Sequence, residues 1–168
     1  MPTQPITLHP ENPHYFLFRG QPTILITSAE HYGSVINLDF DYLPYLEVLT
    51  SYGLNATRIY AGAYLEPEHY FIPDNPLGPR IGRHCLPWGR SSLPGYPYGG
   101  DKFDLEQWNP AYFERLKDFI AQAGKRGIVV EICLFIFILL PCFLSYLTSR
   151  WCSFFRGPSG SESLAYLV

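Results

Sequence analysis

The stretch "NPAYFERLKDFIAQAGKRGIVVEICLF", residues 109–135, carries the clearest secondary-structure signals in the chain. Asn109 can cap a helix that begins at Pro110, and apolar residues then recur at helical spacing. Those apolar residues are Phe113, Leu116, Phe119, Ile120 and Ala123. Gly127 favours the end of that helix, and the apolar run after it predicts a strand. The stretch therefore predicts a helix that leads directly into a buried strand, as in a parallel sheet.

A similar helix and strand are predicted earlier, in "LDFDYLPYLEVLTSYGLNATRIYAG", residues 38–62. Asp39 or Asp41 can cap the helix, and Gly53 fits its end. The residues with helical spacing are Tyr42, Leu43, Tyr45, Leu46 and Leu49. The segment "NATRIYAG" that follows predicts a short strand, so the helix-to-strand order occurs twice in the chain.

The N-terminal segment "HYFLFRGQPTILITS" predicts two short strands around a tight turn. The first strand is expected at Tyr15–Phe18 and the second at Thr23–Thr27, with Arg19 and Gly20 between them. Because Ile24–Ile26 are continuously apolar, the second strand is expected to be buried on both faces.

A long connection from Gly62 to Trp108 separates the two helix-to-strand units and is rich in proline, glycine and aromatic residues. A loop of this length in a compact domain usually has a function or is disordered. The aromatic residues argue against disorder, because they provide apolar area to bury. We therefore expect a functional loop that follows one strand and precedes one helix.

The alternation of strands and helices predicts an α/β fold with a parallel sheet. Two architectures fit this pattern, an open doubly wound sheet and a (β/α)₈ barrel. No G-x-G-x-x-G and no G-x-x-x-x-G-K-[ST] motif follows a strand, which disfavours a nucleotide-binding sheet. In either architecture the long aromatic loop lies at the carboxyl edge of the sheet, where ligands bind.

Composition excludes several classes of function. The net charge of −3 gives no electrostatic basis for binding nucleic acid or an anionic membrane surface. The four cysteines form no C-x-x-C pair and have no histidine at zinc-ligand spacing, so neither a metal nor a cofactor is predicted. The start "MPTQPITLHPENP" has no visible signal peptide, and the sequence does not indicate a cellular location.

Polar residues gather where the predicted strands end. The candidate site residues at these ends are Glu30, His31, Arg58, Tyr60, Glu66 and Glu131. Carboxylates perform acid, base and nucleophilic steps on glycosidic bonds, and flat aromatic rings stack on sugars. Tyr64, Trp88 and Trp108 are the aromatic residues expected to contact a sugar. These candidates also have structural alternatives. Glu30 and His31 can be solvated loop residues, and Glu131 can be a solvated side chain. Arg58 can form a structural ion pair, and the aromatic rings can form a loop core.

The octapeptide "GLNATRIY", residues 53–60, resembles the G-x-N-x-x-R signature on the second strand of retaining glycoside hydrolases, especially cellulase-like proteins of glycoside hydrolase family 5. The resemblance covers residues 8–135 and implies a partial TIM (β/α)₈ barrel of about three βα units. It implies that Arg58 supports a nucleophilic carboxylate, and that Glu30 and His31 contact the sugar. The implied ligand is a polysaccharide or an oligosaccharide, without a cofactor.

The chain departs from the family pattern after the third predicted strand. The family's Asp-x-His pair falls at Cys133 and Phe135, so that feature is absent. Its acid/base and nucleophilic glutamates are expected after the fourth and seventh strands. Beyond Phe135 there is no Asn, and Glu162 is the only Glu. No catalytic residue is therefore assigned, and we expect a truncated, inactive hydrolase-like chain.

Residues 136–168 form a hydrophobic and Ser-rich tail that does not resemble the family. A break in the reading frame after Phe135 would produce such a tail. Because residues 132–149 carry no charge, they also meet the lower length limit of a membrane span. The alternative functions are thus a membrane-anchored protein with a sugar-binding N-terminal domain and a non-catalytic carbohydrate-binding remnant.

Overall fold

The computed structural model describes residues 5–27, 33–60, 78–96 and 99–133 of the 168-residue chain. These residues form a mixed α/β fold with small sheets and few helices. In chain order the elements are β1 (Thr7–Leu8), β2 (Phe16–Phe18), β3 (Gln21–Thr23), α1 (Gly33–Ile36), α2 (Tyr42–Ser51), β4 (Ala56–Tyr60), β5 (Trp88–Pro94), β6 (Asp101–Trp108), α3 (Pro110–Lys125) and β7 (Val129–Cys133). Within the described part of the chain, no sheet closes into a barrel.

The two strands that follow the long helices, β4 and β7, pair in parallel. Their register places Ala56 opposite Val129, Arg58 opposite Glu131 and Tyr60 opposite Cys133. Parallel strands need a crossover connection, and α3 provides it here. The predicted parallel pairing of helix-to-strand units is therefore confirmed for β4 and β7.

Both long helices begin at the residues that the sequence predicts. Asp41 caps α2, where its side chain accepts a hydrogen bond of 3.0 Å from the Leu43 N–H. Asn109 caps α3 by accepting one of 3.2 Å from the Ala111 N–H. Such caps satisfy N–H groups that have no partner inside the helix, which typically stabilises a protein by about 1 kcal/mol.

Both helices end at a glycine with a left-handed backbone, Gly53 at φ 72° and Gly127 at φ 73°. After α3 the Gly127 N–H donates to the Gly124 carbonyl at 3.2 Å, and the Ile128 N–H donates to the Ala123 carbonyl at 3.0 Å. This pair of hydrogen bonds is a Schellman motif, which satisfies the last carbonyls of the helix and turns the chain towards the next strand.

The main core lies between one face of the parallel pair and helices α2 and α3. Its fully buried side chains include Leu46 and Leu49 from α2, Ile59 from β4, and Tyr112 and Phe119 from α3. Each fully buried aliphatic or aromatic side chain contributes about 1.5–3 kcal/mol relative to an exposed one. Because one face of β4 and β7 packs on the helices, the alternate side chains of these strands point away from the helices.

The N-terminal hairpin covers one end of that opposite face. Arg19 at φ 51° and Gly20 at φ 76° form a two-residue turn with left-handed backbone at both positions, which matches the twist of a hairpin. Phe18 and Ile6 pack with Val129 in a second apolar cluster. The remainder of the face beyond Val129 is not covered by this cluster.

The predicted second strand at Thr23–Thr27 is wrong in its position and burial. The strand is β3 at Gln21–Thr23, and Ile24 and Ile26 are 55% and 51% exposed. The Ile26 carbonyl accepts hydrogen bonds from the start of β4, so this segment lies beside β4 without being buried on both faces. A continuous apolar run does not show which of its faces receives a partner.

A β-hairpin occupies part of the region that the sequence predicts as a long loop. Strands β5 and β6 pair antiparallel with Trp88 opposite Trp108 and Arg90 opposite Phe103. The register shifts between Trp88 and Gly89 and again between Arg90 and Pro94. These irregularities interrupt the alternation by which a strand is recognised in a sequence.

The predicted membrane segment, residues 132–149, lies almost wholly outside the described residues, and so does the tail at 136–168. Ile132 and Cys133 belong to β7. Of the helices in the described part of the chain, none combines the length and apolar character that crossing a bilayer requires.

Candidate functional site

The candidate site lies at the carboxyl edge of the parallel pair, where β4 and β7 end. In a strand–helix–strand unit the helix runs back along the sheet, so α2 and α3 begin at this edge. We call the residues that surround it the rim, and define the rim as residues 36–41, 78–96 and 99–109. The Pro87 carbonyl accepts a hydrogen bond of 2.7 Å from the Asn109 N–H, which anchors the β5–β6 hairpin at the start of α3.

Arg58 and Glu131 lie at the centre of β4 and β7 and are register partners. Arg58 Nε is 2.9 Å from Glu131 Oε2, which is an ion-pairing distance. Their side chains retain 38% and 52% of their exposure, because they stand on the face away from the helices and beyond the N-terminal hairpin. The structure thus brings together two of the residues predicted from the sequence, and it also satisfies the structural alternative of an ion pair for Arg58.

Tyr60 and Cys133 end the two strands as register partners, and both are half-buried. Tyr60 packs against the edge of the main core. Cys133 and Cys85, the cysteines of the described ranges, are not joined in a disulfide. Tyr60 therefore lies at the predicted edge. It is two residues after Arg58 on β4, so the two side chains lie on the same face of the strand.

The two predicted tryptophans lie at the base of the hairpin. Trp88 is only 5% exposed, so the expectation that its ring offers a surface to a sugar is wrong. The register that sets Trp88 opposite Trp108, beside the start of α3, places its ring in the protein interior. Trp108 is half-buried and makes an edge contact with Phe113 at 5.6 Å and 81°. Part of Trp108 thus remains open to solvent.

Asp39 holds the first part of the rim together. Its carboxylate accepts hydrogen bonds of 2.8 Å from Nε of Arg80 and from Nε of Arg83. The bond from Arg83, assisted by the bond from Arg80, holds the pKa of the Asp39 carboxyl below its ordinary value against the opposing effect of burial. The Leu38 N–H also donates to the Arg83 carbonyl at 3.1 Å. These contacts join residues 80–83 to the connection between α1 and α2.

Arg115 reinforces the same connection from the side of α3. It donates hydrogen bonds of 2.7–3.2 Å to the backbone carbonyls of Ser34, Val35, Asn37 and Phe40. A shallow depression at this position is lined by residues 38–43 and Arg115. Because Arg115 and Asp39 already have internal partners, the depression is a structural feature of the rim.

The hairpin carries an arginine whose guanidinium lies over two aromatic rings. The Arg90 guanidinium carbon is 3.9 Å from the ring centre of Phe103 and 4.8 Å from that of Tyr96. The two rings meet edge to face at 5.0 Å and 79°. Arg90 Nη1 also donates a hydrogen bond of 2.7 Å to the Asp101 carbonyl. Sequence reasoning missed Arg90 because it treated this region as loop, although a strand pairing of residues 90 and 103 would have placed the charge over the ring.

His84 lies beside this cluster and is buried. Its ring meets the Tyr96 ring at 6.1 Å and 81°, and its Nε2 is 3.1 Å from the Pro79 carbonyl. Burial lowers the pKa of His84. The buried His84 ring therefore packs edge to face against Tyr96.

Four predicted site residues, Glu30, His31, Tyr64 and Glu66, lie outside the described residues. Within the described ranges, no group of three or more His, Cys, Asp or Glu side chains is arranged to hold a metal ion. The described polar groups of the site are thus the Arg58–Glu131 pair, the Asp39 contacts and the Arg90 cluster.

No protein-family model matches the sequence, and a search of curated proteins finds no match. Among solved structures, the chain is similar to the crystal structure of a putative glycoside hydrolase from Bacteroides vulgatus ATCC 8482, with a TM-score of 0.52 at 17% sequence identity. The match covers 77% of this chain and 24% of that protein, so this chain spans about a quarter of the neighbour's length. At such low identity the similarity concerns the fold alone.

Proposed function

We propose that this chain is part of a carbohydrate-binding protein related to the (β/α)₈ glycoside hydrolases, and that the rim binds an oligosaccharide. The observation that carries the proposal is the position of Arg58. It belongs to the G-x-N-x-x-R sequence, stands on a parallel strand that follows a helix, and faces away from the helices. The fold similarity to part of a glycoside hydrolase supports the same assignment.

In this proposal β4 and β7 are neighbouring strands of the inner sheet of the barrel, with about three βα units in residues 8–135. The face that carries Arg58 and Glu131 would then point to the barrel interior, towards the sugar. The Glu131 carboxylate can accept hydrogen bonds from sugar hydroxyls, while Arg58 fixes its orientation. Tyr60 and the exposed part of Trp108 are proposed to contact the sugar from the rim. Glu30, His31, Tyr64 and Glu66 remain proposed contacts from their sequence positions.

Hydrolysis by the 168-residue chain is not proposed. A retaining glycosidase places two carboxyl groups about 5 Å apart, one as nucleophile and one as acid and base. Glu131 is the one carboxylate on the described strands β4 and β7, and it is paired with Arg58. A single carboxylate held by a guanidinium can bind sugar hydroxyls. The retaining reaction needs a second carboxyl group beside it.

Calorimetric titration of the purified chain with cellotetraose and with other neutral oligosaccharides tests the proposal. We expect binding without release of shorter sugars, and weaker binding in Glu131→Gln than in Glu114→Gln, an exposed glutamate on the outer surface of α3. Failure of every oligosaccharide to bind would reject the carbohydrate assignment. If the chain still hydrolyses an oligosaccharide after further purification, the proposal that it binds sugars without hydrolysing them is rejected.

A further inference from the structure

Arg90 is an exposed arginine whose side chain is held by two aromatic rings and a backbone carbonyl, and no acidic partner for it occurs in the described ranges. The Arg90 guanidinium carbon lies over both the Phe103 and the Tyr96 ring, nearer to Phe103. The N–H groups of a guanidinium lie in its plane and point outward from its edge, and within the described ranges the hydrogen bond of Arg90 uses Nη1, which donates to the Asp101 carbonyl. Among the described residues, no carboxylate lies within ion-pairing distance of Arg90. Relative to the described residues, the other N–H groups of this exposed side chain are thus open to a ligand.

Most other arginines of the described chain have a structural partner that explains them. Arg80 and Arg83 pair with Asp39, Arg126 pairs with Glu47, and Arg115 bonds to backbone carbonyls. A fixed cation that has no neutralising partner attracts an anion, and a planar guanidinium fits a planar carboxylate through two parallel hydrogen bonds. Stacking also reduces the entropy that an exposed arginine would lose when it binds.

The position of Arg90 relates this cation to the proposed sugar site. The hairpin that carries it is anchored at the start of α3, at the edge where β4 and β7 end. Tyr96 and Phe103 in the same cluster are half-buried aromatic rings, of the type that packs on sugars. An anionic group on a sugar bound at the rim could thus meet the free edge of the guanidinium.

We propose that the stacked Arg90 binds the carboxylate of an acidic sugar, so that the ligand of the rim is a glycan containing uronic acid. This inference rests on the proposed carbohydrate function and specifies the class of ligand. Sulfate groups share the oxyanion chemistry, but a planar carboxylate matches the guanidinium fork in both shape and spacing.

Arg19 provides a matched control. Its guanidinium carbon is 5.0 Å from the ring centre of Phe18, and its Nη2 donates to the Gly124 carbonyl at 3.2 Å. It is likewise exposed, stacked and bonded to one carbonyl, but it lies at the opposite edge of the parallel pair, near the end of α3. Its substitution removes the same charge at a distance from the rim.

The test compares calorimetric titrations of the full chain with trigalacturonate, with its neutral analogue galactotriose, and with a sulfated galactose trisaccharide. We expect the wild-type chain and Arg19→Gln to bind trigalacturonate more tightly than galactotriose. Arg90→Gln is expected to lose roughly tenfold or more in affinity for trigalacturonate, with little change for galactotriose. Arg90→Lys, which keeps the charge without the fork, is expected to lie between Arg90→Gln and the wild type. Thermal unfolding of each variant identifies any loss that comes from misfolding of the hairpin.

The outcomes separate the two proposals. Equal affinity of the wild-type chain for the acidic and the neutral trisaccharide would reject the acidic-sugar inference and leave the carbohydrate function in place. An equal loss in Arg19→Gln and Arg90→Gln would reject the site, because it would show an effect of net charge alone. Preference for the sulfated trisaccharide would reject the uronic acid. Failure of all three sugars to bind would reject the acidic-sugar inference, and the carbohydrate function is rejected as well only if cellotetraose and the other neutral oligosaccharides also fail to bind.

Discussion

Arg58 on β4 and Glu131 on β7 are separated by 73 positions in the chain, yet they face each other across one step of a parallel ladder with 2.9 Å between Nε and Oε2. Because both side chains keep more than a third of their exposure, water screens the pair. We expect a double-mutant cycle of Arg58→Met and Glu131→Gln to give a coupling of about 0.2–1 kcal/mol in urea unfolding. A coupling above about 2 kcal/mol would contradict this and indicate a pair shielded from solvent.

The Tyr112 hydroxyl is buried and has no hydrogen-bond partner among the described residues. Removing it should leave the free energy of unfolding unchanged or raise it by up to about 1 kcal/mol, because the cost of burying an unpaired polar group disappears. The matched change is Tyr42→Phe on α2, whose hydroxyl bonds to Asp118. Tyr42→Phe should destabilise the protein by about 1–2 kcal/mol, since that partner is charged. A loss in Tyr112→Phe as large as the loss in Tyr42→Phe would show that the Tyr112 hydroxyl does have a partner.

Asp39 should make the stability of the chain depend on acidic pH. Its pKa in the folded protein lies below the ordinary 3.8, mainly because Arg83 and then Arg80 bond to the carboxylate. A lowered pKa contributes stability that is fully present above the unfolded value and is lost as the pH falls through the folded value. Urea midpoints of wild type and Asp39→Asn should therefore differ at neutral pH and converge below pH 3.8. Asp41→Asn is the control, because asparagine preserves a helix cap; a difference between wild type and Asp39→Asn that persists at the lowest pH would contradict the assignment.

Two glycines three residues apart should respond in opposite directions to alanine. Gly127 ends α3 with φ 73°, where a Cβ is strained, so Gly127→Ala should destabilise by about 1 kcal/mol. Gly124 lies inside the last turn of α3 without a positive φ, so Gly124→Ala should stabilise by about 0.5 kcal/mol. Denaturant unfolding measures both, and an equal sign for the two changes would contradict the geometry at the end of the helix.

The sequence was most informative where the structure depends on local chemistry. Asn109 and Gly127 mark the two ends of α3 because capping and left-handed turns are properties of a few consecutive residues. The exposure of Ile24 and Ile26 could not be read in the same way. Burial of a strand depends on which segments pack on it, and those segments are distant in sequence.

The site was predictable residue by residue but not as an arrangement. Arg58 and Glu131 were both selected from the sequence, whereas their contact depends on a register set by strand pairing. Arg90 was missed because its role comes from Phe103, its neighbour across an irregular hairpin. Trp88 was misjudged for the same reason, since the base of that hairpin buries its ring.

Asn55, the asparagine of the G-x-N-x-x-R sequence, uses its side chain as a substitute for a backbone peptide group. Its amide oxygen accepts the Ile26 N–H at 2.7 Å, and its amide nitrogen donates to the Ile24 carbonyl at 2.9 Å. A strand neighbour offers the same donor and acceptor to an extended chain. Asn55 thereby fixes the register of the segment 24–27 against β4. Arg58 lies three positions further along the same strand. The motif thus contains two linked elements. Asn55 aligns the segment 24–27 with β4, and β4 carries the charged Arg58 side chain.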